Sequence, residues 1–315
     1  MFLVEFSQYK IPISDFMFYL LLSIGCSVSL FITFRYFQRY QVDTFHAIAI
    51  NYLVCVVTGM LFVGTEAWTT IQPQNWWWLA LFLGGTFIST FYLMGLTTQK
   101  VGMTIASLAS KMSMVIPVGI NLLFFAEVAK DFDKLNFLGL LMALVAVGLS
   151  SYSPKVQQEE GMVYVSGLAR IVLPLSIFAL SGVIETSLNY ANLHLLQAQE
   201  MPVFPIGLFA TAAFIGLIGI FIQLSRGKVL TWRSVVGGIV LGVPNYFSIY
   251  FLLKSLEAFN NNGAFVFPVN NICIIIVSAF ISVLLFKEKL HLFNKIGVLV
   301  AIAAILLLGY QKLLA

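Results

Sequence analysis

The chain has 315 residues, of which 60% are hydrophobic and only 10% are charged, and its formal net charge is +4. Because soluble domains contain about one quarter charged residues, this composition excludes a soluble globular protein and predicts a multi-pass protein of the cell (inner) membrane. The cations are scattered between apolar segments rather than clustered, so the lipid bilayer is the expected partner and nucleic acid is not.

Ten apolar segments lie between charged or turn residues, and each is close to the ~20 residues that span a bilayer as a helix. The sequence therefore predicts an all-α integral membrane protein with ten transmembrane helices. In chain order these are Phe16–Phe34, His46–Gly64, Trp76–Leu96, Met103–Phe125, Leu135–Tyr152, Ile171–Ala191, Ile206–Leu224, Val235–Leu253, Ala264–Phe286 and Ile296–Tyr310.

The ten predicted helices form two groups of five, separated by the longest polar stretch of the chain. Gly102–Glu127 and Gly263–Glu288 have the same spacing and are related by an offset of 161 residues. We therefore predict two diverged copies of one unit, residues 1–153 and 171–315, joined by a linker at 154–170. Since five is odd, the second copy crosses the membrane in the opposite direction, as in secondary transporters built from inverted repeats.

Lys111 is the one cation inside a predicted helix. It lies about 13 Å from the start of the fourth helix, near the middle of a hydrocarbon layer ~30 Å thick. A charge at the centre of a membrane helix costs at least ~2.5 kcal/mol, and such residues usually mark a substrate or ion pathway. The alternatives are a structural ion pair and a side chain that reaches to the membrane surface.

Glu185 is the only carboxylate deep inside a predicted helix. Ser181, Glu185, Asn189 and Asn192 recur at helical spacing and share one face of the sixth helix. A polar stripe on an apolar helix is expected to face a cavity or the bundle interior. Glu185 is a candidate to bind a cationic group, to carry a coupling proton or to neutralise Lys111.

Other polar residues inside the predicted helices are weaker candidates for substrate binding. Two groups follow prolines, which free a backbone carbonyl and bend a helix. Asn270 and Asn271 are adjacent, so at most one of them is expected to contact a substrate, and Pro117 is expected to bend the fourth helix beyond Lys111. The remaining candidates are Asn51 in the second helix, Tyr92 in the third, and Asn245 and Tyr246 in the eighth.

The sequence contains no recognisable catalytic or metal-binding set. There is no HExxH motif, and His46, His194 and His291 lie at the edges of different predicted helices. The 3 cysteines lie singly inside apolar segments without CxxC spacing. We therefore expect no enzyme activity, no metal and no cofactor.

Lys and Arg residues are distributed unevenly between the two sides of the predicted bundle. The loops on the side of the termini hold 5 of them and the loops on the other side hold 11. By the positive-inside rule, both termini would lie outside the cytoplasm.

Each half ends with an apolar helix that stops near a Glu, a short polar hinge and a Gly-containing last helix. These segments read FFAEVAKDFDKLNFLGLLMALVAVGL and LLFKEKLHLFNKIGVLVAIAAILLLGY. Over essentially its whole length the chain resembles the EamA-type members of the drug/metabolite transporter superfamily. The resemblance implies a central cavity lined mainly by helices 1 to 4 and 6 to 9, with helices 5 and 10 peripheral, and transport by alternating access.

The same resemblance implies that the regions around Lys111 and around Asn270 and Asn271 face the cavity. It also implies cytoplasmic termini, which conflicts with the charge distribution. Members of the superfamily carry amino acids, other metabolites, nucleotide sugars or drugs, often outward.

The leading hypothesis is a secondary active transporter for a small polar or amphipathic metabolite, with an amino-acid-like compound favoured. Lys111 would bind an anionic group, and Glu185 would bind an amine or couple a proton. Proton-coupled efflux of cationic aromatic drugs is the alternative within transport, and a passive channel or a structural membrane subunit is the alternative from another class. Export, proton coupling and a monomeric or homodimeric state all remain open at this stage.

Overall fold

A computed structural model describes residues 13–63, 75–124, 133–151, 167–196, 200, 203–258, 263–288 and 290–314 of the chain. Every regular element in these ranges is an α-helix. The helices are α1 (Ile13–Arg39), α2 (Thr44–Val63), α3 (Trp77–Lys100), α4a (Met103–Met112), α4b (Val115–Phe124), α5 (Lys134–Ser151), α6 (Gly167–His194), α7 (Phe204–Ser225), α8 (Trp232–Ala258), α9 (Gly263–Phe286) and α10 (Leu292–Leu314).

Eight helical segments within the described residues are long and apolar enough to cross a membrane. One of them runs from α4a into α4b, and α5 and α10 contain shorter apolar segments, Lys134–Leu149 and Leu292–Leu308. The prediction of an all-helical, multi-pass membrane protein is confirmed in this form. Several helices extend beyond their predicted ends, because polar residues such as Arg39 continue a helix past its apolar part.

The fourth predicted helix is broken in the structure. α4a ends at Met112, a turn occupies Ser113 and Met114, and α4b begins at Val115. The sequence predicts one continuous helix with a bend beyond Lys111, whereas the structure has a complete break there instead. Pro117 explains the position of the break, because a proline ring clashes with the carbonyl four residues earlier, here that of Ser113, and provides no N–H to bond it.

Eight of the predicted spans pack as a ring. Going round it, each helix contacts the next in the order α1, α8, α2, α7, α3, α6, α4, α9 and back to α1. α5 and α10 pack on each other and against the α4a, α6 and α9 part of the ring. The ring alternates between the first and second halves of the chain, so most of the packing joins the two halves.

Small residues allow the helices to approach closely, as is usual in membranes. A Cβ on Gly242 of α8 would lie 2.8 Å from the Asn51 carbonyl of α2, and one on Gly139 of α5 would lie 3.0 Å from the Ala304 carbonyl of α10. Side chains at these positions would push the helix pairs apart. The positions therefore fix the spacing of the ring and of the α5–α10 pair.

Candidate functional site

The break in the fourth helix is held by polar side chains. The Lys111 carbonyl, in the last turn of α4a, accepts a hydrogen bond of 3.3 Å from the Asn271 amide of α9, which also lies 3.2 Å from the Met114 sulfur. The Ser113 hydroxyl donates to the Ser110 carbonyl at 2.5 Å. Side-chain donors thus replace the helical N–H groups that are missing at the break, so the carbonyls of Lys111 and Ser110 remain hydrogen-bonded inside the bundle.

Glu185 of α6 faces this break. One helical turn before it, Gly182 packs so closely on α4b that an added Cβ would lie 2.2 Å from Cδ1 of Ile116. The Glu185 carboxylate is within electrostatic range of the Lys111 ammonium and lies beside the Ser113 hydroxyl. The two opposite charges that the sequence singled out therefore belong to one site.

Lys111 differs from every other residue of its helix. All nine other residues of α4a are buried, whereas Lys111 keeps accessible surface. α4a is surrounded by α1, α3, α5, α6, α9 and α10. Contacts with six helices place α4a in the interior of the bundle.

No ion pair between Lys111 and Glu185 is found among the described residues, although the two groups interact electrostatically. The Oε2 atom of Glu185 is buried and has no hydrogen-bond partner, although other parts of the residue are accessible. Unpartnered buried carboxylate oxygens are costly. The site therefore offers an unsatisfied acceptor on α6 and a partly accessible cation on α4a.

The two asparagines of α9 have different surroundings. Both are buried, Asn270 with 2% and Asn271 with 7% of its surface exposed. Asn271 binds the backbone of Lys111, so it positions that residue, while Oδ1 of Asn270 is buried without a partner. The side chain of Asn189, the other candidate on α6, lies outside the described residues.

Asn51 and Asn245 form a separate polar cluster. The Asn245 amide donates to Oδ1 of Asn51 at 3.1 Å, joining α8 to α2, and the Cys55 thiol donates to the Gly242 carbonyl at 3.4 Å. Both asparagines are almost completely buried. They bind each other, so their first role is to connect the two halves of the ring.

The two candidate tyrosines do not contact the Lys111 group among the described contacts. Tyr246 is buried, lies against Gly59 of α2 and stacks on Tyr250. Tyr92 is 37% exposed, and its ring packs edge-on against Phe45 of α2. The structure thus brings together Lys111, Glu185 and Asn271, and it places the tyrosines elsewhere.

Ser113, which marks the break and lies beside Glu185, was not among the residues predicted from the sequence. The signal was present, because a proline four residues later predicts a disrupted carbonyl at this position. Within the described residues, no group of three or more His, Cys, Asp or Glu side chains has the arrangement of a metal site.

The fold and the site define a multi-pass helical membrane protein with a charged pair inside its bundle. No protein-family model matches the chain. The chain is 26% identical over 303 residues to an uncharacterized protein of Haemophilus influenzae, an alignment that covers 94% of this chain and 99% of that protein. The two proteins are therefore similar along their whole lengths, and the similarity indicates neither a family nor a substrate.

Proposed function

We propose that the protein is a secondary active transporter of a small polar or amphipathic metabolite, built like the EamA-type members of the drug/metabolite transporter superfamily. Its ten helices would all span the cell (inner) membrane as two inverted repeats around a central cavity. The order of the ring supports this arrangement. A two-fold axis in the membrane plane exchanges each helix with its counterpart in the other half, for example α1 with α6 and α4 with α9. Applied to the observed order, this exchange gives the same ring in the opposite direction, as such an axis requires.

Contacts between individual residues support the same symmetry. Asn51 contacts Asn245 across α2 and α8, and Gly84 lies against Ala212 across α3 and α7, where an added Cβ would lie 2.8 Å from the Ala212 nitrogen. Asn51 and Ala212 differ by 161 in number, and so do Gly84 and Asn245. The offset of 161 residues between the fourth and ninth helices therefore also relates the α2–α8 contact to the α3–α7 contact.

The starts of α5 and α10 provide a third similarity between the halves. At α5 the Asp133 N–H donates to Oδ1 of Asn136 at 3.0 Å, and at α10 the His291 N–H donates to Oδ1 of Asn294 at 3.1 Å. The same cap at the last helix of each half is expected if the halves descend from one unit.

The accessible Lys111 on an otherwise buried helix is the observation that carries the proposed substrate class. An anionic group of the substrate would bind the Lys111 ammonium, and an amine would bind the unpartnered oxygen of Glu185. A zwitterion such as an amino acid satisfies both groups and leaves the occupied site electrically neutral. This neutrality matters because an uncompensated charge inside a membrane is costly.

Transport into proteoliposomes tests the proposal. After a ligand-stabilisation screen of amino acids, amines and organic anions, uptake of the best ligand would be measured for the wild type, Lys111→Met and Glu185→Gln. We expect each variant to lose about tenfold or more in uptake, since a hydrogen bond to a charged group contributes ~1.5–3 kcal/mol. Lys134→Met, which removes an exposed lysine at the start of α5, is the matched control. Unchanged binding and uptake in Lys111→Met would remove the basis for a zwitterionic substrate.

Proton-coupled efflux of cationic aromatic compounds is the second candidate function. The unpartnered Oε2 of Glu185 favours it, because that oxygen can bind either a proton or a cation. In this case Glu185→Gln abolishes efflux of the cation while Lys111→Met leaves it intact. Accumulation of substrate against a gradient would distinguish either carrier from a passive channel or a structural subunit.

A further inference from the structure

A buried carboxylate lies at the start of α4a, far from Glu185 along the chain and outside the proposed substrate site. Glu288, just after α9, is only 7% exposed. Its Oε1 accepts a hydrogen bond from the Met103 N–H at 2.8 Å, and its Oε2 accepts from the Thr104 hydroxyl at 3.1 Å and the Thr104 N–H at 3.4 Å. A carboxylate at the N-terminus of a helix also interacts favourably with the helix dipole.

The end of α9 is shaped to bring Glu288 into this position. Lys287 has a φ of +51°, a left-handed conformation that side-chain-bearing residues rarely adopt, and the Glu288 N–H returns to the Ser282 carbonyl at 3.1 Å. The Ser282 hydroxyl in turn hydrogen-bonds the Thr104 hydroxyl at 2.6 Å. The helix therefore ends in a reversal of the chain that turns Glu288 back towards α4a.

Arg35 of α1 binds the other side of the same turn. Its guanidinium donates to the carbonyls of Thr98 and Gln99 at 3.5 and 3.2 Å, and it lies 5.8 Å from the centre of the Phe286 ring of α9. A cation thus binds the C-terminus of α3 while an anion binds the N-terminus of α4a, which is the favourable arrangement at both helix ends. The turn between α3 and α4a is held by α1 on one side and by α9 on the other.

Contacts across the ring are unequal between the two halves. α1 contacts α3 and α4a across the ring, whereas no comparable packing links α6 to α8 or to α9 among the described residues. The proposed two-fold axis would make these pairs equivalent. Among the described residues, the interior is therefore closed where α3 ends and α4a begins. We call this the basic end because its loops carry most of the Lys and Arg residues.

We propose that Glu288 and Arg35 form the closed gate at the basic end, and that Glu288 must leave the N-terminus of α4a before the Lys111 site opens to that side. This inference rests on the proposed transport function. In an alternating-access cycle the α3–α4a turn moves away from α1 and α9, and the freed N–H groups of Met103 and Thr104 are then hydrated. The hydrogen bonds of Glu288 therefore set the population of the state that is open at the basic end.

Thiol labelling tests the gate without knowledge of the substrate. Ser107 is fully buried and lies one helical turn beyond Thr104 on the side of Lys111, so Ser107→Cys reports opening at the basic end. A membrane-impermeant maleimide would be applied from that side, with Glu288 present or replaced by glutamine. The background removes the native thiols by Cys26→Ser, Cys55→Ala and Cys273→Ser.

We expect Glu288→Gln to raise the labelling rate by about tenfold, because charge-assisted hydrogen bonds are roughly twice as strong as neutral ones. The matched control is Glu200→Gln, which removes a carboxylate at the opposite end of the bundle, where Glu200 accepts a hydrogen bond from Trp76 at 3.3 Å. The control should leave the rate unchanged. An unchanged rate in a Glu288→Gln protein that still elutes as the folded species would overturn the gate and leave Glu288 as a helix cap only.

A cross-link provides an independent test if Glu288→Gln does not fold. Thr104→Cys with Ser282→Cys places two thiols where the hydroxyl oxygens are 2.6 Å apart. The oxidised protein should bind ligand and fail to transport it, and a reducing agent should restore transport. If transport continued with the cross-link formed, the gate would be disproved. If the wild type transported nothing but thiol labelling still depended on Glu288, only the transport function would be disproved.

Discussion

Replacing Gly102 by alanine tests the contact between α4a and Glu288 most directly. Gly102 precedes α4a with φ +137° and ψ 154°, a combination that is essentially restricted to glycine. An added Cβ would lie 2.4 Å from Oε1 of Glu288. The substitution therefore strains the backbone and displaces the carboxylate from the Met103 N–H.

The two effects have separate magnitudes. The backbone conformation costs ~1–3 kcal/mol for a residue with a side chain. Loss of one hydrogen bond to a charged acceptor adds ~1.5–3 kcal/mol. The sum of about 2.5–6 kcal/mol lowers the unfolding midpoint by roughly 4–9 °C, using an unfolding entropy of ~2.1 cal/mol/K per residue for a chain of this length.

Thermal unfolding in detergent, followed by tryptophan fluorescence, measures this shift. Gly25→Ala is the matched control, because Gly25 lies in α1 with no atom within 4 Å of an added Cβ, and alanine should raise the midpoint slightly there. In a Glu288→Ala background, Gly102→Ala should lower the free energy of unfolding only by the cost of the strained backbone conformation, ~1–3 kcal/mol. Equal costs in the two backgrounds would refute the argument that Gly102 is small in order to admit Glu288.

Three further predictions use the same unfolding assay. Lys287→Gly should stabilise the protein by about 0.5–1 kcal/mol, since glycine adopts the left-handed conformation without strain, and a lower midpoint would contradict this. Gly182→Ala should cost ~1–3 kcal/mol by pushing α6 off Ile116, and Ile116→Ala should recover part of the loss; additive losses would argue against the contact. Hydrogen bonds from the Tyr310 hydroxyl and from nearby N–H groups lower the pKa of Asp133 below its ordinary value of 3.8. These hydrogen bonds therefore stabilise the folded protein above pH 3.8, and the stabilisation is lost as the pH falls through the lower folded-state pKa. Tyr310→Phe should reduce that dependence, and an identical pH profile in this variant would disprove the role of the hydrogen bond.

Composition and segment length were sufficient to predict the membrane class and the approximate positions of the helices. They also singled out Lys111 and Glu185, because a charged side chain in the middle of an apolar helix stands out without any knowledge of packing. The structure places these two residues within electrostatic range of each other. Their role in transport stays a prediction.

Sequence patterns did not predict which helix faces meet. α3 is apolar around most of its circumference, so periodicity could not show that Tyr92 packs on Phe45 rather than beside Lys111. The pairing of Asn51 with Asn245 depends on the register of two helices from different halves, which no local pattern encodes. Glu288 was overlooked as a binding group because it lies beyond its helix, where a charged residue is normally solvated.

The alternation of the two halves around the ring has a consequence for biosynthesis. Helices α1 to α4 are synthesised before their ring neighbours, and the carboxylate that caps α4a is synthesised 185 residues after Met103. Until Glu288 is synthesised, the N–H groups at the start of α4a must be hydrogen-bonded by water or by lipid headgroups, because acyl chains offer no acceptor. Assembly of the ring therefore has to wait for the last third of the chain, which contains α8, α9 and Glu288.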